Sequence, residues 1–217
     1  MTKRHKTTPL TQEQVRRAII IDFEGPRVGL PTFVGIHMEY CLNQVGFEPT
    51  LASAFEASHI PLQDPHEWAR DLGRLARRED RRILGFGPHE ERMLAELGQP
   101  GLVHNILPAL RPWRAHHFPE EHERVLRMRE WRRRHGKFVG GAGNTLVDFA
   151  RLAGRRVHRG YGRGRVTARL DAVMQGLRRA GCFAGLTPMQ KRKWRQVLRH
   201  NDWDCVSTYE LALRLVS

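Results

Sequence analysis

An apolar run that ends in two acids, Ala18-Ile19-Ile20-Ile21-Asp22-Phe23-Glu24-Gly25, constrains the fold of this chain more than any other segment. Three consecutive β-branched residues favour an extended backbone. A strand sends alternate side chains to opposite faces, so Asp22 and Glu24 leave on the same side. Apolar residues occupy both faces of the run, the pattern of a strand covered on both sides. Two carboxylates at the end of such a strand lose water, which is costly unless a counter-charge meets them. A divalent cation is the counter-charge this pattern favours.

At 217 residues the chain has enough length for one substantial core, and its 40% hydrophobic content argues against wholesale disorder. The first ten residues read as a disordered basic arm, and residues 11–217 as one domain. The start of the chain is basic and polar with no hydrophobic segment behind it, unlike a secretory signal. No apolar run approaches the roughly 20 residues that span a bilayer. Cys41, Cys182 and Cys205 are odd in number and widely spaced, which fits neither a disulfide framework nor a paired-cysteine metal site. A reducing, cytoplasmic setting is the expectation.

Net charge is +14, and its distribution is uneven. Up to residue 110 there are 13 Lys/Arg against 14 Asp/Glu; beyond it there are 24 against 9. The whole positive excess lies in the second half. A polyanionic partner such as DNA or RNA explains it; so does a solvated, Arg-rich surface.

Strands are expected at residues 17–24, 33–39, 50–55 and 82–86. Asp64 and Pro65 open a helix to about residue 78, as N-cap and first helical position, with Trp68, Leu72 and Leu75 on one face. A second helix begins at Pro88 and stops at Gly98. This β-β-β-α-β-α order predicts an α/β domain with a mixed sheet. Residues 102–110 and 119–135 read as helices, and 137–143 as a glycine-rich turn or short strand. Further helices are expected at 145–153, 166–180 and 188–216, the last bent or broken near His200.

Helical faces single out further acids. Asp204 interrupts the stripe Val197, Thr208, Leu211, Leu215, and His200 lies one turn before it. Asp202, about 160° away, is expected to face solvent. Alone, Asp204 would suit a surface His–Asp pair or a buried acid met by an Arg. Glu90 shares a face with Met93, Leu94 and Leu97, where a first-turn acid also complements the helix dipole. Asp148, three residues after Thr145, is best read as part of a capping box. His116, His117, His122 and His135 show no recurring ligand spacing.

The order of these sites carries a resemblance. The chain has D-x-E at the end of a strand, an acid in Ile83-Leu84-Gly85-Phe86-Gly87-Pro88-His89-Glu90, and the late segment His200-Asn201-Asp202-Trp203-Asp204-Cys205 with Thr208. Pro31-Thr32-Phe33-Val34-Gly35 also matches. Together they resemble the ribonuclease H-like exonucleases with four acidic residues, the DEDD superfamily. The similarity is greatest to the YprB-like group of predicted prokaryotic exonucleases, which also occurs as a module in predicted RecB-type nucleases. The late segment resembles that group's Y-N-x-x-D-[CV]-x-x-T pattern, with His200 where the pattern has Tyr.

The resemblance implies a three-layer α/β/α ribonuclease H-like fold with a mixed central sheet and a helix-rich C-terminal half. It implies a hydrolase, a 3′–5′ exonuclease that cleaves phosphodiester bonds with two Mg²⁺ or Mn²⁺ ions. Asp22, Glu24, Glu90 and Asp204 would be the metal ligands and catalytic acids, with His200 orienting the attacking water. Hard cations prefer such carboxylate oxygens. A catalytically silent nucleic-acid-binding domain and a structure-selective endonuclease are the alternatives on the same fold. In the basic half, Arg163, Arg165, Lys191, Lys193 and Arg195 are the candidate contacts to the nucleic-acid backbone.

Overall fold

The computed structural model describes residues 10–26, 29–161 and 165–217. Of the arm expected over the first ten residues, only Leu10 falls within it, and Leu10 packs against the core. Helix α1 (Gln12–Arg16), held by a capping box between Thr11 and Gln14, leads into β1 (Ile19–Glu24). Strands β2 (Phe33–Met38) and β3 (Cys41–Gly46) follow. A 3-10 turn (Pro49–Leu51), α2 (Ala52–Glu56) and α3 (Pro65–Arg78) precede β4 (Ile83–Gly85), α4 (Pro88–Glu96) and β5 (Val103–Asn105). The remainder is helical: α5 (Leu107–His117), α6 (Pro119–Arg134), α7 (Leu146–Leu152), α8 (Arg165–Ala180) and α9 (Pro188–Arg214).

The strand order is β3-β2-β1-β4-β5. β1–β2 and β2–β3 are antiparallel, and β1–β4 and β4–β5 are parallel, so the sheet is mixed. Alternation along β1 builds two layers. Ile19, Ile21 and Phe23 face α3 and α4, among Trp68, Leu72, Met93 and Leu94. Ile20 faces the other way, into a core with Phe149 of α7 and Leu211 and Ala212 of α9. Helices therefore cover both faces in a three-layer α/β/α sandwich with a helix-rich C-terminal half, the ribonuclease H-like architecture. A third cluster joins α8 and the first half of α9 to Phe33, Leu51 and Phe55, centred on the fully buried Trp194. Among the described residues no helix is long and apolar enough to cross a membrane.

Three stretches differ from the sequence expectation. Residues 50–55 are not a strand but the 3-10 turn and α2, opened by Glu48, whose carboxylate caps Thr50, and by Pro49. The third strand is β3, and its first three residues are exposed, so it lacks the apolar alternation of a half-buried strand. Its hairpin also lacks the usual sequence signal. Glu39 and Tyr40 take φ of 50° and 65°, positions normally given to Asn and Gly. Residues 102–110, expected as a helix, hold β5 and only the start of α5. Three residues of parallel strand are too short to show a period, and Leu107-Pro108 begins the helix beyond them. α9 is a single unbroken helix of 27 residues, about 40 Å long at 1.5 Å per residue.

Candidate active site

Ile20, Asp22 and Glu24 share one face of β1, and that face meets α9. Asp204 projects from the middle of α9 toward the same point. Ligand oxygens of Asp22, Glu24 and Asp204 all lie within 4.8 Å of one another. This is the sole cluster of potential metal ligands among the described residues; the histidines between His116 and His135 form none. Glu90 stands beyond that spacing but lines the same cleft, of about 840 Å³.

Each acid is positioned by a definable local device. Asn201, fully buried on α9, donates its Nδ2 to the Asp22 backbone carbonyl at 2.9 Å and to Asp22 Oδ2 at 2.8 Å. It reaches them because Gly35, paired with Asp22 across the hairpin, has no side chain. A Cβ there would sit 1.9 Å from Asn201 Oδ1. Gln44 of β3 holds the other side of α9, donating to the Leu198 carbonyl at 3.1 Å and to Asp202 Oδ1 at 2.9 Å. Asp202, expected in solvent, is therefore half-buried against the sheet edge, because β3 extends the sheet beneath that helix face.

Glu90 is 5% exposed, and its Oε2 accepts the Gly87 backbone N–H at 3.1 Å at the start of α4. Gly85 makes room for it: a Cβ at Gly85 would lie 2.7 Å from Glu90 Cβ. Asp148 closes its capping box, accepting from Thr145 N at 3.0 Å and Thr145 Oγ1 at 2.7 Å, so its carboxylate is engaged at the N-terminus of α7.

His200 is 5% exposed, with Nε2 3.6 Å from Asp204 Oδ2. Burial and the nearby Arg169 guanidinium hold its pKa down to about 4. It is thus a neutral imidazole at pH 7, and the contact with Asp204 is not an ion pair. Its ring stacks on Tyr161, with centroids 4.6 Å apart and 16° between planes.

The acids are held above their ordinary range. Desolvation pushes Asp22 up, and Asp204, Glu24 and Glu90 push it further. Desolvation and Glu90 do the same to Asp204, and Glu24 is raised by desolvation, Asp204 and Glu90. Desolvation lifts Glu90 to about 7 against the pull of its backbone hydrogen bonds. Asp22, Glu24 and Asp204 keep a face to the cleft, which moderates the loss of water; their mutual repulsion remains. Among the described residues no Lys or Arg pairs with these three. An all-carboxylate set with unrelieved repulsion fits a hard divalent cation such as Mg²⁺ or Mn²⁺.

The cleft also holds basic residues. Arg111 of α5, Arg129 of α6 and Arg151 of α7 line it, with Gly140 and Gly141 between them. The glycine-rich segment is a turn tied down by guanidiniums. Arg129 Nη1 donates to the Ala142 carbonyl at 3.1 Å, and Arg114 donates to the Gly143 carbonyl and to Asn144 Oδ1.

The basic candidates named from the sequence separate in space. Arg163 lies outside the described residues. Arg165 is exposed at the start of α8, next to Val166 and Thr167 of the cleft lining. Lys191 donates its Nζ to the Ala184 carbonyl at 2.7 Å and sits over the Phe183 ring, closing the α8–α9 connection. Lys193 is half-buried and lines neither the cleft nor the pocket beside it. Arg195 lines that second pocket. The three cleft arginines, Gly35, Gly85 and Asn201 received no role from the sequence. Only the glycines and Asn201 fell within the segments matched to the nuclease pattern.

No family model, curated protein or solved structure matches the chain. Its class rests on geometry: a ribonuclease H-like α/β/α sandwich with a metal-compatible acidic cluster at the end of its first strand.

Proposed function

We propose that the protein is a metal-dependent nuclease of the four-acid exonuclease type, hydrolysing phosphodiester bonds of DNA or RNA from a 3′ end. One observation carries the reading: Asp204, remote in the chain from the neighbouring Asp22 and Glu24, meets them within 4.8 Å in a cleft that Glu90 also lines. A stabilising ion pair would need one carboxylate and one cation; three unpaired carboxylates have a use only if something positive binds them.

In this reading Asp22, Glu24 and Asp204 hold Mg²⁺ or Mn²⁺, and Glu90 contributes from the edge of the site. Bound there, two ions would neutralise charge on the phosphoryl oxygens and ease deprotonation of water. Asn201 fixes the carboxylate of Asp22 in place. His200, neutral at pH 7, accepts a hydrogen bond from the attacking water and orients it. Arg111, Arg129 and Arg151 bind the flanking phosphates, which fixes the register of the strand but not its sequence.

The test is Mn²⁺-dependent digestion of end-labelled single- and double-stranded DNA and RNA, with a circular substrate to detect internal cutting. Asp22→Asn should abolish cleavage and leave the fold intact, because Asn can still accept the Asn201 amide. Full activity in that variant would sink the assignment. Binding without hydrolysis in the unaltered protein would instead support the silent nucleic-acid-binding domain.

A further inference from the structure

The first half of α9 carries a pattern that the acidic cleft does not use. Arg192, Arg195 and Arg199 recur at three- and four-residue spacing, so one helix face presents three guanidiniums. Like charges so placed repel each other. Arg169 reaches the same space from α8, and the turn before α8 adds His158 and Tyr161. Together they line a pocket of about 440 Å³ with no carboxylate in its wall. Among the described residues none of these four arginines forms an ion pair.

Arg169 shows that the pocket is organised rather than merely charged. Its Nη2 donates to the Gly160 carbonyl at 2.9 Å, which fixes the guanidinium, while Nη1 is buried with no acceptor. The anchored Arg169 adds its charge to that of the three α9 arginines at one pocket wall. Tyr161 separates this pocket from the acidic cleft and lines both. Its ring stacks on His200, and its hydroxyl donates to the Arg199 carbonyl at 3.2 Å. The two spaces are one aromatic ring apart.

We propose that this pocket is a phosphate subsite. It takes a backbone phosphate of the strand whose scissile bond lies in the acidic cleft, the strand crossing over Tyr161. The identity of the strand rests on the nuclease reading; the affinity of the pocket for a phosphate oxyanion does not. A free phosphate offers the same chemistry, so the experiment separates the two sources.

Metal-free protein in EDTA is titrated with inorganic phosphate and, separately, with a fluorescent single-stranded oligonucleotide. The double variant Arg192→Ala, Arg195→Ala alters two exposed side chains. A second double variant, Arg178→Ala, Arg179→Ala, removes the same charge from exposed positions outside the pocket. The pocket variant should weaken oligonucleotide binding by about tenfold or more, and the control by less than about threefold. Inorganic phosphate should compete for the oligonucleotide on the unaltered protein. Equal losses in both variants, or none in the pocket variant, overturn the proposal. Phosphate binding lost in the pocket variant with oligonucleotide affinity unchanged overturns the assignment to the strand. Hydrolysis of bis(p-nitrophenyl) phosphate, a diester too small to span both sites, by the unaltered protein with Mn²⁺ reads the acidic cleft by itself. Its absence in the unaltered protein would count against the nuclease reading alone, since the binding comparison is made without metal.

Discussion

Gly35 and Asn201 are small residues with a large share in the site. The Asn201 amide occupies the space a side chain at position 35 would fill, and it is held there by two bonds to Asp22. Gly35→Ala must therefore push α9 from the sheet or break those bonds. We expect a loss of about 1–3 kcal/mol by urea denaturation, the usual cost of overpacking. Metal-dependent activity should fall further than stability explains, because Asp22 loses its anchor. At this scale the sequence was informative about charge and mute about its support. An i, i+2 pair of acids on a strand states its own geometry. A glycine in a strand does not say which side chain it makes room for.

The site is an agreement among three elements, β1, α4 and α9, each bringing an acid that repels the others. Its pH dependence follows. Glu90 holds its proton to about 7 when folded against 4.5 unfolded. Its contribution to stability is complete below about pH 4.5 and is lost as pH rises through about 7. Asp22, Glu24 and Asp204 shift in the same direction. His200 shifts oppositely, from 6.5 to about 4, so its contribution is present above 6.5 and is lost as pH falls through about 4. Above about pH 6.5 only the acids set the slope. The thermal midpoint of EDTA-treated protein should fall as pH rises through about 7. Mn²⁺ should flatten that fall, because the ion takes the place of the protons. Scanning calorimetry with and without the ion decides it. The helices were readable from their caps, as in Asp64-Pro65 and Thr145 with Asp148. The missed strands lacked such marks. β3 is a polar edge turned by two left-handed non-glycine residues, and β5 is too short to have a period.

Over the whole molecule the charge is divided: a near-neutral first half supplies three of the four candidate acids, and the basic second half supplies the arginines around them. Nucleic-acid binding should accordingly depend on salt. If about four phosphates are neutralised, affinity falls roughly 10²-fold between about 50 and 200 mM salt. Fluorescence anisotropy in EDTA measures it, and a flat response would contradict a backbone-binding cleft. The fold class was legible because β1 is apolar on both faces and must be covered on both. How α5, α6 and the following turn would line the cleft was not, since Arg111, Arg129 and Arg151 become neighbours only through tertiary packing.

The bond between Asn201 and Asp22 joins residues 179 positions apart. Loops of that length close slowly, because their entropy must be lost before any contact rewards it. The β1-β2-β3 meander, with its two-residue hairpin, can form from local pairings before α9 docks. The meeting of Asp204 with Asp22 and Glu24 is then the last feature a refolding chain acquires. After dilution from urea, recovery of Mn²⁺-dependent hydrolysis should lag the return of far-ultraviolet ellipticity, and the lag should lengthen in Gly35→Ala. A polypeptide built this way passes through most of its folding without its acidic cluster and completes that cluster only on the closing step.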